Sequence, residues 1–246
     1  MKLIWRTFDL SKPFIPKFTS SRFHSVAAEA LDPYQEEEMK KKLIIVNEND
    51  EIIGQDTKYN CHRVRNGRLP IHRAFSVFIF NSKNEILLQQ RAPCKVTFPN
   101  HITNACCSHP LYSTYIYRDF LQTMQNCVSR RLWVELGIPR GNFNTGALKY
   151  ITKIHYFSKG DGTWGENEID YIFVLHKDVE VRPSSMEVKQ VWSVPRNEFN
   201  NFIKSCEYPL TPWFSIIMKE WLFKIWDNLH DLQSIRDDVS KIHRYN

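Results

Sequence analysis

The stretch His72–Arg91 constrains the fold most. HRAFSVFIF (72–80) and EILLQQR (85–91) are two β-rich runs separated by the polar residues Asn81–Asn84, the pattern of a hairpin. Other strands read from the same signals are Leu43–Val46, followed by a polar turn at Asn47–Asp50, then Tyr150–Phe157, Glu168–Lys177 and Val188–Val194. Ser158–Gly165, with three glycines, connects the two middle ones. Helices are predicted where caps and stops agree. Asp32 caps a short one with Pro33 first and Gln35 third, and Phe120–Leu136 ends on Gly137 with Pro139 beyond. Arg196–Cys206 is another, and Pro212–Asn228 opens on Thr211 as cap. Ala92–Pro110 shows no periodicity and reads as a long connection, a length usually tied to function. Strands mixed with a few helices predict an α/β or α+β sandwich.

The chain has 246 residues, 42% hydrophobic and 24% charged, which suits one medium domain. The expected division is an extension over residues 1–30 and a folded domain over 31–246. No run of about 18 apolar residues is present, so no membrane partner is expected. The formal charge is +6, but residues 1–28 hold five bases (Lys2, Arg6, Lys12, Lys17, Arg22) against Asp9 alone. The rest of the chain is close to balanced and has no basic stripe interleaved with aromatics, so nucleic acid is not an expected partner. The basic, Ser-containing, acid-poor start suits a mitochondrial presequence; an extension without an address, in a cytoplasmic protein, is the alternative. Six cysteines occur without a CxxC pair, which points to free thiols in a reduced compartment.

The chemistry-bearing residues are dispersed. Glu166 and Glu168 are two apart at the mouth of a predicted strand, so they share a face. Two carboxylates that close repel unless a cation or a proton intervenes. His62, His72 and His109 are the accompanying imidazoles, and such a set suits Zn, Mn or Fe better than bare Mg. Taken singly, each histidine reads more readily as a hydrogen-bonded side chain, and the E-x-E pair as a solvated strand face. Cys107 precedes His109 by two; alone, the Cys106–Cys107 pair reads as small buried residues. Lys58, Arg91, Lys95 and Arg131 suit an anion such as a diphosphate, or are ordinary surface charge.

Together these segments resemble the type 1 isopentenyl-diphosphate isomerase family. The matching strings are DTKYNCH (56–62), HRAFSVF (72–78), LLQQR (87–91), Lys95–Pro99, TNACCSHPL (103–111), RRLWVELGI (130–138), IHY (154–156), WGENEIDY (164–171) and TPWF (211–214). They cover roughly residues 36–246. The resemblance implies a Nudix-like mixed β-sheet sandwich flanked by helices. It implies an isomerase that interconverts isopentenyl and dimethylallyl diphosphate for isoprenoid supply, sterols included. On it, His62, His72, His109, Glu166 and Glu168 bind the catalytic metal, Zn2+ or Mn2+, and Glu135 holds a Mg2+ that bridges to the diphosphate. Cys107 and Glu168 become the acid–base pair, with Tyr156 assisting. Lys58, Arg91, Lys95, Ser108 and Arg131 become diphosphate contacts, and Trp213 faces the hydrocarbon. The expected partner is that small molecule, bound by a monomer or weak dimer.

Residues Tyr112–Val128 depart from the family pattern, with Asp119 their only acid. That departure motivates a catalytically degenerate paralogue that binds prenyl diphosphates. A Nudix-type diphosphate hydrolase is the other competitor, and it would need a more acidic helix than one carrying Glu135 alone.

Overall fold

A computed structural model describes residues 31–114 and 120–245. The extension over residues 1–30, and part of the divergent 112–128 stretch, therefore lie outside the described residues. In chain order the strands are β1 (Lys42–Val46), β2 (Ile52–Thr57), β3 (His72–Phe80), β4 (Ile86–Arg91), β5 (Ile102–Asn104), β6 (Cys106–Ser108), β7 (Lys149–Ser158), β8 (Glu166–His176), β9 (Val188–Val194) and β10 (His243–Tyr245). The helices are α1 (Pro33–Met39), α2 (Lys58–His62), α3 (Phe120–Leu136), α4 (Phe199–Ser205), α5 (Pro212–Ile217) and α6 (Phe223–Asp227).

The strands form one mixed sheet whose main path runs β10-β7-β8-β3-β1-β2. At its centre β3 and β8 lie parallel over nine registered pairs, from His72↔Glu168 to Phe80↔His176. Every residue of β3 is buried, which is why it reads as a near-continuous apolar run. Alternation divides its side chains between two layers. Phe75, Val77 and Ile79 join Ile169, Tyr171 and Phe173 beneath the α3 residues Met124, Val128 and Leu132. Phe78 and Phe80 join Ile172 and Val174 beneath Trp213, Phe214, Ile217, Leu222 and Trp226 of the C-terminal helices.

The predicted hairpin is present, but β3 and β4 share only the Phe80↔Ile86 pair. Beyond it β4 turns away to pair with β5 and β9, and a cleft opens between the two halves of the sheet. Helix α3 has the expected bounds. Gly137 adopts φ +66° and its N–H bonds the Trp133 carbonyl at 3.0 Å, the left-handed stop the sequence predicts.

Several expectations need correction. Ala92–Pro110 carries two short strands, β5 and β6. Each is three residues long, too short for periodicity to reveal. The three-residue β10 escapes prediction for the same reason, and the six-residue β2 and five-residue α2 are not predicted either. Glu166 opens β8, so the strand starts two residues earlier than expected. Asp32 caps α1, its Oδ1 accepting from the Tyr34 N–H at 2.9 Å, but Gln35 reaches across to the Met186 carbonyl and does not close a capping box. Thr211 stands at the cap position without a side-chain capping bond; its hydroxyl pairs with Thr103 Oγ1 at 2.9 Å. Pro212–Asp227 is helical throughout, with a π turn at Met218–Leu222. Arg196–Glu198 forms a 3-10 turn before α4.

A buried polar cluster ties the turn after β1 to three inner strands of the sheet. Asp50 accepts from Arg73 Nε and Lys153 Nζ, each at 2.6 Å, and from the Tyr171 hydroxyl. The three donors satisfy a carboxylate that would otherwise be costly to bury.

Gly137 supplies the test of this reading. A Cβ there would stand 2.5 Å from the Arg182 carbonyl oxygen, in a backbone conformation with φ +66°. Gly137→Ala should cost about 2 kcal/mol, measured as a lower urea midpoint at unchanged m-value.

Candidate metal and acid–base site

The parallel register of β3 and β8 builds the site. It sets His72 directly beside Glu168, and the two-residue period sets Glu166 on the same face as Glu168. The short helix α2 delivers His62; the Gly165 N–H bonds the His62 carbonyl at 2.9 Å and fastens α2 to the start of β8. Strand β6 pairs with β3 and carries the chain to His109. One ligand atom from each of His62, His72, His109, Glu166 and Glu168 lies within 4.8 Å of all the others, and all five residues are buried.

The imidazoles are oriented for donation. His62 Nδ1 lies 2.7 Å from the Lys58 carbonyl and His72 Nδ1 lies 3.1 Å from the Pro70 carbonyl. A carbonyl only accepts, so both Nδ1 atoms carry hydrogen and each Nε2 turns inward. His62 Nε2, His72 Nε2 and Glu166 Oε2 are buried atoms without a hydrogen-bond partner. Such orphans are expensive unless a ligand takes them. His62 Nε2 stands 3.0 Å from Glu166 Oε2, and His109 Nε2 stands 2.7 Å from Glu168 Oε1. The five donors therefore fit a divalent cation.

The electrostatics agree. Burial pushes His62 and His109 well below the usual imidazole range, so both keep a lone pair. Burial and the neighbouring Glu168 push Glu166 well above the usual carboxylate range. Burial would also raise Glu168, but the hydrogen bond with His109 and the charge of neighbouring His72, itself raised by Glu168 against the effect of burial, hold it well below that range. The Tyr156 hydroxyl donates to Glu168 Oε2 at 2.5 Å. Burial and that carboxylate push Tyr156 well above its usual value, so it keeps its proton.

Cys107 lines the same narrow cleft as Glu168. Its thiol donates to Asn104 Oδ1 at 3.0 Å, and Ser76 Oγ lies 3.2 Å away. Burial, then the charge of Asp170, pushes this thiol up. Cys106 points the other way, into the core beneath α3. Trp213 closes the cleft, its indole N–H donating to Asn104 Oδ1 at 3.1 Å.

Three further residues of the site are absent from the sequence-based set. Asn104 stands within TNACCSHPL. Its amide donates to the Val77 and Cys106 carbonyls at 3.1 and 2.9 Å, which fixes its oxygen toward Cys107 and Trp213. Asp170, bonded to Ser76 Oγ at 2.7 Å, continues the Glu166-x-Glu168 alternation and was findable from it. Glu187 gave no signal, because its partners come from distant segments.

The candidate anion ligands Lys58, Arg91, Lys95, Ser108 and Arg131 all line the cleft. Arg91 is held by the Thr97 and Phe98 carbonyls at 2.8–3.3 Å, and its guanidinium sits 5.5 Å from the Trp213 ring centre. Phe98 has φ +49°, a left-handed conformation uncommon outside glycine. Burial pushes the Lys58 amine down to about 8, with Lys95 adding to the shift. Glu135 lies outside the five-donor group: its Oε1 accepts from Arg131 Nη2 at 2.6 Å.

Comparisons with known proteins agree with this geometry. The NUDIX domain family model matches residues 70–214. "Isopentenyl-diphosphate Delta-isomerase 1" of Mesocricetus auratus is 44% identical over 219 residues, covering 87% of this chain and 96% of its own. The Bos taurus protein of the same name is 43% identical over 224 residues, covering 89% and 98%. A Deinococcus radiodurans crystal structure superposes with a TM-score of 0.51 over 74% of this chain and all of its own, at 16% identity, a likeness of fold alone.

Divalent metal should stabilise the protein. At about 100 times Kd, Zn2+ or Mn2+ should raise the melting temperature by roughly 5–10 °C, and EDTA should reverse the shift. In His72→Ala most of that shift should vanish; an undiminished shift would place the ion elsewhere.

Proposed function

The chain belongs to the isopentenyl-diphosphate Delta-isomerase family, and from that membership we propose how its residues move the double bond. The protein is an isomerase that interconverts isopentenyl diphosphate and dimethylallyl diphosphate in isoprenoid biosynthesis. The reaction adds a proton at C4 and removes one at C2. An isolated alkene is a very weak base, so the proton donor must be aimed and the site dry.

One observation carries the mechanism: Cys107 and Glu168 line the same cleft, with Trp213 closing it. Cys107 and Glu168 exchange the two protons, and the group that gives in one direction takes in the reverse. The thiol hydrogen is held on Asn104, and the neutral state that burial favours keeps it available as an acid. Tyr156, whose hydroxyl donates to Glu168 Oε2, keeps its own proton and positions that carboxylate, assisting the transfer. Proton addition at C4 leaves positive charge at a tertiary carbon, and the Trp213 face stabilises it through the ring quadrupole. Arg91, whose guanidinium lies 5.5 Å from the Trp213 ring centre, and Ser108, Lys58, Lys95 and Arg131 hold the diphosphate, away from the developing cation.

His62, His72, His109, Glu166 and Glu168 would hold the catalytic metal, and imidazole with carboxylate favours Zn2+ or Mn2+. When bound, that ion supplies positive charge beside Glu168, which eases release of its proton. Glu135 would hold a Mg2+ accompanying the diphosphate. The basic, acid-poor composition of residues 1–28 supports a mitochondrial address; the mature N-terminus in cells should then begin near residue 30, and an intact Met1 would refute it. A diphosphate hydrolase is disfavoured because Glu135 is the sole acid of α3.

The activity assay is incubation with isopentenyl diphosphate and divalent metal. Dimethylallyl diphosphate is the expected product; released phosphate would mean hydrolysis, and unchanged substrate a degenerate paralogue. Cys107→Ser should lower kcat by about 10³-fold or more with metal content unchanged. Glu168→Gln should lower both kcat and metal affinity.

A further inference from the structure

We infer that Glu187 is the resident counter-ion of the diphosphate subsite and that, with Glu135, it makes diphosphate binding depend on the divalent cation the substrate carries. The inference rests on the diphosphate reading above and adds a residue to it.

Glu187 is buried, and both its carboxylate oxygens are engaged by cleft cations. Oε2 accepts from Lys95 Nζ at 2.6 Å; Oε1 accepts from Arg131 Nη2 at 3.0 Å and from the Tyr34 hydroxyl at 3.0 Å. The same Nη2 also donates to Glu135 Oε1 at 2.6 Å. Two of the cations suited to a diphosphate are thus neutralised by protein carboxylates. Lys58 has no hydrogen bond to its amine among the described residues, and Arg91 is held only by neutral carbonyl and hydroxyl oxygens.

A bare diphosphate reaching for Lys95 and Arg131 meets Glu135 and Glu187 on the same guanidinium, and like charges in a buried site are costly. A divalent cation entering with the diphosphate reverses the balance. The two carboxylates, sharing one nitrogen, are close enough to share one ion. Lys95 and Arg131 are then released to phosphate oxygens.

The backbone prepares this pairing. The Ser184 N–H bonds the Glu135 carbonyl at 2.9 Å, and the Glu187 N–H bonds the Ser184 carbonyl at 3.0 Å. One tight loop therefore holds both carboxylates in a fixed relation. The Ala92 N–H on the Glu187 carbonyl, at 3.0 Å, ties in the segment that carries Lys95. Glu187 is a positioning residue in this scheme, acting through Lys95, Arg131 and the ion and touching no reacting carbon.

The test is calorimetric titration of the full-length protein with inorganic diphosphate, with and without Mg2+. In the parent, Mg2+ should tighten binding by about 50-fold. Glu187→Gln should tighten the metal-free binding on the order of tenfold and shrink the Mg2+ gain by a similar factor. A carboxylate that only held the fold together would weaken both when removed. Metal-free affinity that is unchanged or weaker in a Glu187→Gln protein with the parental circular dichroism spectrum would overturn the inference. Glu187→Asp keeps the charge but retracts it by one methylene, and should shift in the same direction by a smaller factor; it decides the matter if the Gln variant does not fold. Failure of the parent to bind diphosphate even with Mg2+ would remove the subsite, and this role with it.

Discussion

Three imidazole nitrogens and two carboxylate oxygens converge in a buried space, and the rest of the site depends on that convergence. Unsatisfied buried donors and acceptors cost more than most single contacts return. The fold therefore has to hold them rigidly, and a ligand has to meet them. Rigidity comes from the parallel pairing of β3 with β8, which is buried on both faces. The backbone bonds that fix that register place His72 against Glu168.

The two layers on either side of this pair have different duties. The layer under α3 is a closed apolar core. The layer under the C-terminal helices begins apolar at Phe80 and Val174 and turns polar toward Ser76, Asp170 and Glu168. One sheet face thus passes from core to chemistry within a few residues. Because β4 parts from β3 after a single pair, a cleft opens at the polar end. Asn104, on β5 of the diverging half, reaches back to orient both the Cys107 thiol and the Trp213 indole.

Charge is sorted along the same cleft. On the proposed mechanism the carbon chemistry lies among the Cys107 thiol, the Tyr156 phenol, the Trp213 indole and the Glu168 carboxylate. The ionic groups Lys95, Arg131, Glu135 and Glu187 pair with one another. A carbocation and a diphosphate attract strongly in a medium of low dielectric, and the pull falls with distance. In the proposed mechanism, holding the two apart along one cleft keeps the charged tail from trapping the cation.

The α3 boundaries, the β3–β4 turn and the Gly137 stop were legible because each is written in neighbouring residues: capping, polar turn chemistry and β-branched or aromatic runs. The strings around His62, Cys107, Glu135 and Glu168 carried the family resemblance, and with it a list of site residues. That list could not be assembled by spacing, since nothing local brings His62 of a five-residue helix to Glu166 some hundred positions on. The tertiary structure alone decided that the five donors meet, that Cys106 faces the core while Cys107 faces the cleft, and that Glu187 sits on Lys95 and Arg131. The reason is physical. Local sequence sets backbone dihedrals and which faces prefer burial, whereas long-range pairs are chosen by the cooperative packing of the whole sheet, and no single segment encodes its partner.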